Sequence, residues 1–214
     1  MTRCLLQHTI TLPSTQTTTP AHGTQAELTY AAIGLALHQR PLTPDTVLRL
    51  VSTGRTSSTI PGIEDLVGPT VTSVPLRLHH DSDNSTASLS SFISHVRDQL
   101  RALAPHEHIV FKEAARAHPG AEAACAVAPQ VVVHLFHPYA EQAAGGTGLW
   151  RRELSAFNDD RAPFTIDVSL VSRGKVLEGM NVRVLFSDSA VEEQGVRRFV
   201  AVLDGVVRAM VAAK

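Results

Sequence analysis

Val67-Gly-Pro-Thr-Val-Thr-Ser-Val-Pro-Leu-Arg77 is the stretch on which the fold turns. Over residues 70–78 apolar and β-branched side chains alternate with small polar ones, the period-two pattern of a strand with one buried face. Just upstream, Asp45-Thr-Val-Leu-Arg-Leu-Val-Ser-Thr-Gly-Arg55 predicts a buried strand over residues 46–53. The intervening residues 56–69 contain Pro61-Gly62 and read as a loop.

Outward from this pair the pattern turns helical. Leu28, Ala31, Ala32, Leu35 and Ala36 recur at helical spacing over residues 24–39, with Pro41 as the stop. Leu89, Phe92, Ile93, Val96, Leu100 and Leu103 form one face of a helix over residues 87–103, with Ser85 or Thr86 as its cap. Burying such side chains is worth ~1.5–3 kcal/mol each before entropy is charged, so this helix must pack on a sheet. A shorter helix is expected over residues 107–117, ended by Pro119-Gly120, and a strand over residues 130–137. Residues 140–148 read as a loop. Residues 164–171 and 176–186 form a hairpin joined at Ser172-Arg-Gly-Lys175. Within it Asp167, Ser169, Glu178, Asn181 and Arg183 interleave with apolar residues, so one hairpin face is wet or meets a partner. Ser189 and Glu192 have capping-box spacing and would open a last helix carrying Val196, Phe199, Val200, Leu203, Val206, Val207 and Met210. About five strands and four helices in this order predict an α/β lobe, a mixed sheet covered by helices.

Composition narrows the function classes. Of 214 residues 43% are hydrophobic and 18% charged, an ordinary globular balance. With 19 basic and 20 acidic residues the net charge is −1, and no basic stripe offers a nucleic-acid footprint. Cys4 and Cys125 are too few for a disulfide framework or a structural zinc site, which points to a reducing cytoplasmic setting. No secretory leader pattern and no run near ~20 apolar residues is present, so no membrane association is expected. Residues 1–22, rich in Thr, Ser and Pro from Thr9 onward, are expected to be a linker, with the folded unit over residues 23–214.

Taken in order, the segments from Asp45 to Arg55, from Pro61 to Asp65 and from Val67 to Arg77 resemble the second half of a nonribosomal peptide synthetase condensation domain, closest to the fungal type. Gln99 and Glu107 fall at matching places, Val131-Val132-Val133-His134 matches a strand lining the reaction channel, and the hairpin and closing helix match the end of such domains. The strand motif has Thr72 where the family usually has Asn, and the bacterial Arg-Asn-Pro-Leu-Phe element is not recognisable before Val131. The resemblance implies one lobe of a chloramphenicol-acetyltransferase-like fold. Two such lobes enclose a tunnel, and a His-His-x-x-x-Asp-Gly motif in the first lobe supplies the base. This chain would begin after that lobe. The implied activity is amide-bond formation from carrier-bound peptidyl thioesters, by elongation or by terminal cyclisation and release. The implied partners are a peptidyl carrier protein, which delivers phosphopantetheine, and the N-terminal lobe. No cofactor would bind the chain directly. An apolar patch left by a missing lobe would favour a homodimer.

The resemblance assigns no catalytic residue to this chain. Candidates for lining the tunnel and positioning substrate are His134, Thr72, Ser73 and Arg55. Arg55 also suits a structural role, tying down a loop through its planar guanidinium. His134 suits a core or lining position, and Thr72 and Ser73 suit strand propensity alone. His79-His80-Asp81-Ser82-Asp83-Asn84-Ser85 starts like the catalytic motif but has Asn84 and Ser85 in the Asp-Gly places, so an exposed polar turn is expected. His106-Glu107-His108 has the wrong spacing for two ligands on one helical face. Cys125 reads as an inert buried thiol. Two other readings remain beside the first: a non-catalytic carrier-docking module, and an unrelated acyltransferase using His134 as base.

Overall fold

Alternating side chains over residues 164–171 and 176–187 build the centre of the molecule. Ile166, Val168 and Leu170 on one strand meet Val184, Val182 and Met180 on the next, and all are buried. The computed structural model describes residues 3–12, 23–38, 45–55, 60–68, 70–79, 89–109, 111–134, 162, 164–173 and 176–212. Its strands are β1 (Arg3–Thr11), β2 (Asp45–Ser52), β3 (Thr72–His79), β4 (Gln130–His134), β5 (Phe164–Arg173) and β6 (Val176–Ser187). Its α-helices are α1 (Gln25–His38), α2 (Leu89–Leu103), α3 (Phe111–Arg116), α4 (Pro119–Val127) and α5 (Glu193–Ala212). The strands form one sheet in the order β1-β6-β5-β4-β2-β3. The β2–β4 and β4–β5 pairs are parallel, and the other pairs antiparallel. The expected mixed sheet covered by helices is therefore what the chain forms.

The sheet has two unlike faces because successive residues of a strand point opposite ways. On the first face lie Leu48, Leu50, Val74, Leu76, Leu78, Val131, Ile166, Val168, Val182 and Val184, all in the main core. Helices α1, α2 and α5 close that core. α1 sits between the other two and against β2, which explains why it buries residues around most of its circumference rather than one stripe. α2 buries Phe92, Ile93 and Val96, and α5 buries Val196, Val200, Leu203, Val207 and Met210 at alternating spacings of four and three. On the second face α3 and α4 pack over β3 and β2, where Phe111, Cys125 and Ala128 form a small satellite core with Val47.

Three expectations change. The N-terminal segment is not wholly linker: Arg3–Thr11 pairs with β6 over its full length, because Cys4, Leu6, His8 and Ile10 alternate with exposed residues and bring an apolar row onto the core. The rest of that segment, residues 13–22, lies outside the described residues. Pro119-Gly120 does not end a helix but begins α4: proline suits the first turn, and His118 Nδ1 accepts the Gly120 N–H at 3.0 Å as its cap. The capping box is not at Ser189. Helix α5 begins at Glu193, where the Glu192 carbonyl accepts its first N–H groups, and the Ser187 and Ser189 hydroxyls bond each other at 2.8 Å. A reciprocal box opens α1 instead, with Glu27 N–H to Thr24 Oγ1 at 3.2 Å and Thr24 N–H to Glu27 Oε2 at 2.7 Å. The proposed caps Ser85 and Thr86 and the loop over residues 140–148 fall outside the described residues.

α5 is fastened to β1 by charge as well as by packing. His8 Nε2 lies 2.9 Å from Asp204 Oδ2, Arg208 holds the other oxygen, and Arg208 Nη1 donates to the Thr11 carbonyl at 3.0 Å. Burial pushes the Asp204 carboxyl up, but the hydrogen bonds from His8 and Arg208 outweigh it and hold the group below its ordinary range. A carboxylate depressed in the folded state adds stability above its unfolded pKa of about 3.9, and that stability is lost as pH falls through the folded value. Chemical denaturation between pH 7 and pH 3 should therefore show a smaller acid loss for Asp204→Asn than for the parent chain. Equal losses would mean that this fastening adds nothing.

Candidate functional site

Parallel strands of an open α/β sheet present their carboxyl ends on one side, and it is there that ligands usually bind. In this chain the carboxyl end of β2, the start of β3 and the end of β4 meet at that rim, and all four candidate residues lie there.

Ser52 ends β2 opposite Thr72, the first residue of β3. The chain then turns at Gly54, which has φ +66°; a Cβ there would sit 2.0 Å from the Thr70 carbonyl oxygen, so only glycine fits. Arg55 follows. Its Nε donates to Thr70 Oγ1 at 2.9 Å and its Nη2 to the Gly68 carbonyl at 3.0 Å, while Thr70 Oγ1 donates to the Thr53 carbonyl at 2.7 Å. The guanidinium thus clamps the two ends of the β2–β3 connection together. β3 starts at Thr72, two residues later than the sequence pattern implied, because residues 68 and 70 are committed to this clamp. The clamped connection carries exposed apolar side chains: Ile60, Leu66, Val71 and, at 97% exposure, Val67.

A second support comes from the α2–α3 connection. Glu107, buried at 3% exposure, accepts the Ser52 hydroxyl at 3.2 Å, and Ser52 Oγ in turn accepts the Gly54 N–H at 3.3 Å. Nothing in the local pattern links Glu107 with Ser52; the link exists only once α2 has crossed the sheet. Below it, Arg49 is buried with its guanidinium carbon 4.0 Å from the Phe111 ring centre, a cation–π contact. Cys125 lies in the same satellite core, and burial pushes its thiol up while Arg49 pulls it the other way.

Thr72 and Ser73 do not act as a pair. Thr72 alternates with Val74 and Leu76 on the first face, whereas Ser73, opposite Val51, is on the second. His134 ends β4, paired with Ser169, and alternation puts that position on the second face with Gln130 and Val132. Ser73 and His134 therefore share a face, with β2 between their strands and a separation on the order of 10 Å. Also on this face, Arg183 Nη2 donates to the buried Asp167 Oδ2 at 2.6 Å.

His79 is not in a free turn. It ends β3, with Nδ1 2.9 Å from Asp45 Oδ1, and Arg77 grips the same carboxylate through Nε and Nη2 at 2.9 and 2.8 Å. The Arg77 hydrogen bond is the main reason that the Asp45 carboxyl is held below its ordinary range. Residues 80–88 lie outside the described residues. Among the described residues no group of three or more His, Cys, Asp or Glu side chains could hold a metal ion, and no helix is long and apolar enough to cross a membrane.

The family model for the condensation domain matches residues 2–213. The chain belongs to the condensation-domain family. It is 29% identical over 185 residues to the nonribosomal peptide synthetase GRA1 of Gibberella zeae, covering 85% of this chain and 2% of that protein. To nonribosomal peptide synthetase 6 of Cochliobolus heterostrophus it is 28% identical over 215 residues, covering 96% of this chain and 12% of that one. Among solved structures, that of holo T3CT superposes with a TM-score of 0.70 at 18% identity, over 97% of this chain and 45% of that one. The epimerization domain from the third module of tyrocidine synthetase B gives 0.66 at 15% identity, over 97% and 48%. The chain thus has the α/β fold of a condensation-type, chloramphenicol-acetyltransferase-like lobe. It spans less than half of these solved chains and a small fraction of the synthetases.

The clamp makes a direct prediction. Gly54→Ala should cost stability of about 1–3 kcal/mol through strain at a positive φ. Arg55→Ala should leave the melting temperature within a few degrees yet speed proteolysis within residues 60–71. Limited proteolysis with mass mapping checks this, and unchanged cleavage would mean that the guanidinium does not restrain the connection.

Proposed function

We propose that this chain is the second lobe of a fungal-type condensation or terminal cyclisation domain, and that it positions substrates without supplying the base. The observation that carries the reading is that the match to a solved condensation-type chain takes in 97% of this chain but only 45% of that one. The sequence supports it: His79-His80 is followed by Asp81-Ser82-Asp83-Asn84-Ser85, so the one His-His pair does not continue to Asp-Gly.

In this reading phosphopantetheine, carried on a peptidyl carrier protein, supplies the thioester. An amine attacks the thioester carbonyl; the C–N bond forms, the C–S bond breaks, and the amine proton passes through a histidine of the first lobe to the departing sulfur. This lobe holds the reacting groups in attack geometry, a contribution that reaches several kcal/mol in well-oriented systems. Ser73 and His134 would line the tunnel from the second face, and Arg55 would act through the rim that it braces. With the base in the other lobe, the chain alone should be inactive or nearly so.

The exposed Ile60, Leu66, Val67 and Val71 favour a second reading, a non-catalytic module that docks a carrier protein or a second copy of the chain through this apolar ridge.

A mass-spectrometric turnover assay separates the readings. The chain would meet a dipeptidyl pantetheine thioester alone and together with a separately made first lobe. Amide or cyclised product only in the mixture supports the proposal. Product from the chain alone, lost in His134→Ala, would overturn it in favour of a self-sufficient acyltransferase. No product in either, with carrier-protein binding retained, would favour the docking module.

A further inference from the structure

Four strands each place one residue at a single level of the second face: Thr9 opposite Asn181, Asn181 opposite Ser169, and Ser169 opposite His134. Neighbouring strands lie about 4.8 Å apart, so this row runs roughly 14 Å across the sheet. It lies one pleat beyond the Asp167–Arg183 pair, toward the carboxyl ends of β4 and β5. Burial gives way along that step: Asp167 is buried, Ser169 and Asn181 are half-buried, and Thr9 is exposed.

The row is polar without being charged. Thr9 Oγ1 donates to Asn181 Oδ1 at 3.0 Å, which fixes the carboxamide and leaves its N–H groups to donate elsewhere. Ser169 has no side-chain hydrogen bond among the described residues, so its hydroxyl can both donate and accept. The neighbouring Arg183 charge is spent on Asp167. Among the described residues a phosphate or carboxylate would find no uncommitted cation along this row and would lose its hydration, whereas a neutral amide finds a donor and an acceptor at matched heights.

We propose that Thr9, Asn181 and Ser169 form a subsite for the backbone amides of the peptidyl part of the substrate. Asn181 Nδ2 donates to one peptide carbonyl, Ser169 Oγ pairs with the next amide, and Thr9 positions the carboxamide. This rests on the positioning reading above and names the substrate chemistry that such a lobe selects: an acyl group bearing at least one peptide bond, rather than a simple acyl chain.

The test uses the full chain and two probes, N-acetyl-dialanyl pantetheine thioester and acetyl pantetheine thioester, titrated by NMR. The parent chain should bind the dialanyl probe at least about fivefold more tightly, with shifts in the Asn181 side-chain amide, since each hydrogen bond of this kind contributes a few-fold to tenfold. Asn181→Ala and Ser169→Ala should each remove most of that preference while leaving the acetyl probe bound as before. Thr9→Val, which only releases the carboxamide, should reduce the preference about twofold to threefold, and melting curves confirm that each variant is folded. A preference that survives in both alanine variants, or a parent chain that binds the two probes equally, overturns the subsite but leaves the positioning reading intact. Failure of the parent chain to bind either probe, with or without the first lobe, overturns both.

Discussion

Everything in this lobe depends on the register of β6. It is paired on both sides, to β5 and to β1, so one alignment fixes three strands together. Strand side chains alternate with a period of two, and a slip of one residue would turn Val182 and Val184 out of the core and Arg183 into it. Two features hold the alignment. The irregularity between Val171 and Ser172 absorbs one residue at the hairpin end, and Gly179 lets β1 approach closely, since a Cβ there would come within 2.5 Å of the Ile10 carbonyl oxygen. With the register set, the first face carries the apolar core and the second carries Asp167, Arg183, Ser169 and Asn181 in fixed rows.

The rim at the other half of the sheet is built differently. Strand pairing ends at Ser52 and Thr72, and beyond it side chains take over the role of the ladder: Glu107 through Ser52 on one side, Arg55 through Thr70 and Gly68 on the other. A buried carboxylate is tolerable because it accepts hydrogen bonds, and the guanidinium satisfies backbone groups that the strands have left behind. The geometry of the rim is thus set by two residues that need never touch a substrate.

Most of the helical and strand periodicity was legible in the chain, because both layers obey simple alternation. α2, the β5–β6 hairpin and α5 declare themselves through residues such as Phe92, Val96, Ile166, Val184, Val200 and Leu203. β1 was not legible: its apolar residues are few, its threonines look like linker, and its partner is β6, far away in sequence. The two capping-box patterns show the same limit. Thr24–Glu27 and Ser189–Glu192 have the same spacing, and only the packed position of the helix decides which closes. Of the site, the motif at residues 67–77 located the rim and Arg55 was expected as a tie. The opposed faces of Thr72 and Ser73 follow from strand alternation, whereas the Ser52–Glu107 link and the row from Thr9 to Ser169 depend on contacts across the whole chain.

β1 also bears on how such a lobe comes into being. Its hydrogen-bonding partner and its ionic partner, Asp204, lie near the opposite end of the chain, with His8 and Asp204 separated by 196 positions. Closing so long a loop has an entropic cost that must be met before any contact repays it, which slows assembly. During synthesis the first segment emerges early and must wait, unpaired, until β6 and α5 have left the ribosome. The sheet can therefore form from β2 to β5 while β1 stays unpaired, and β1 can join only once β6 is in place.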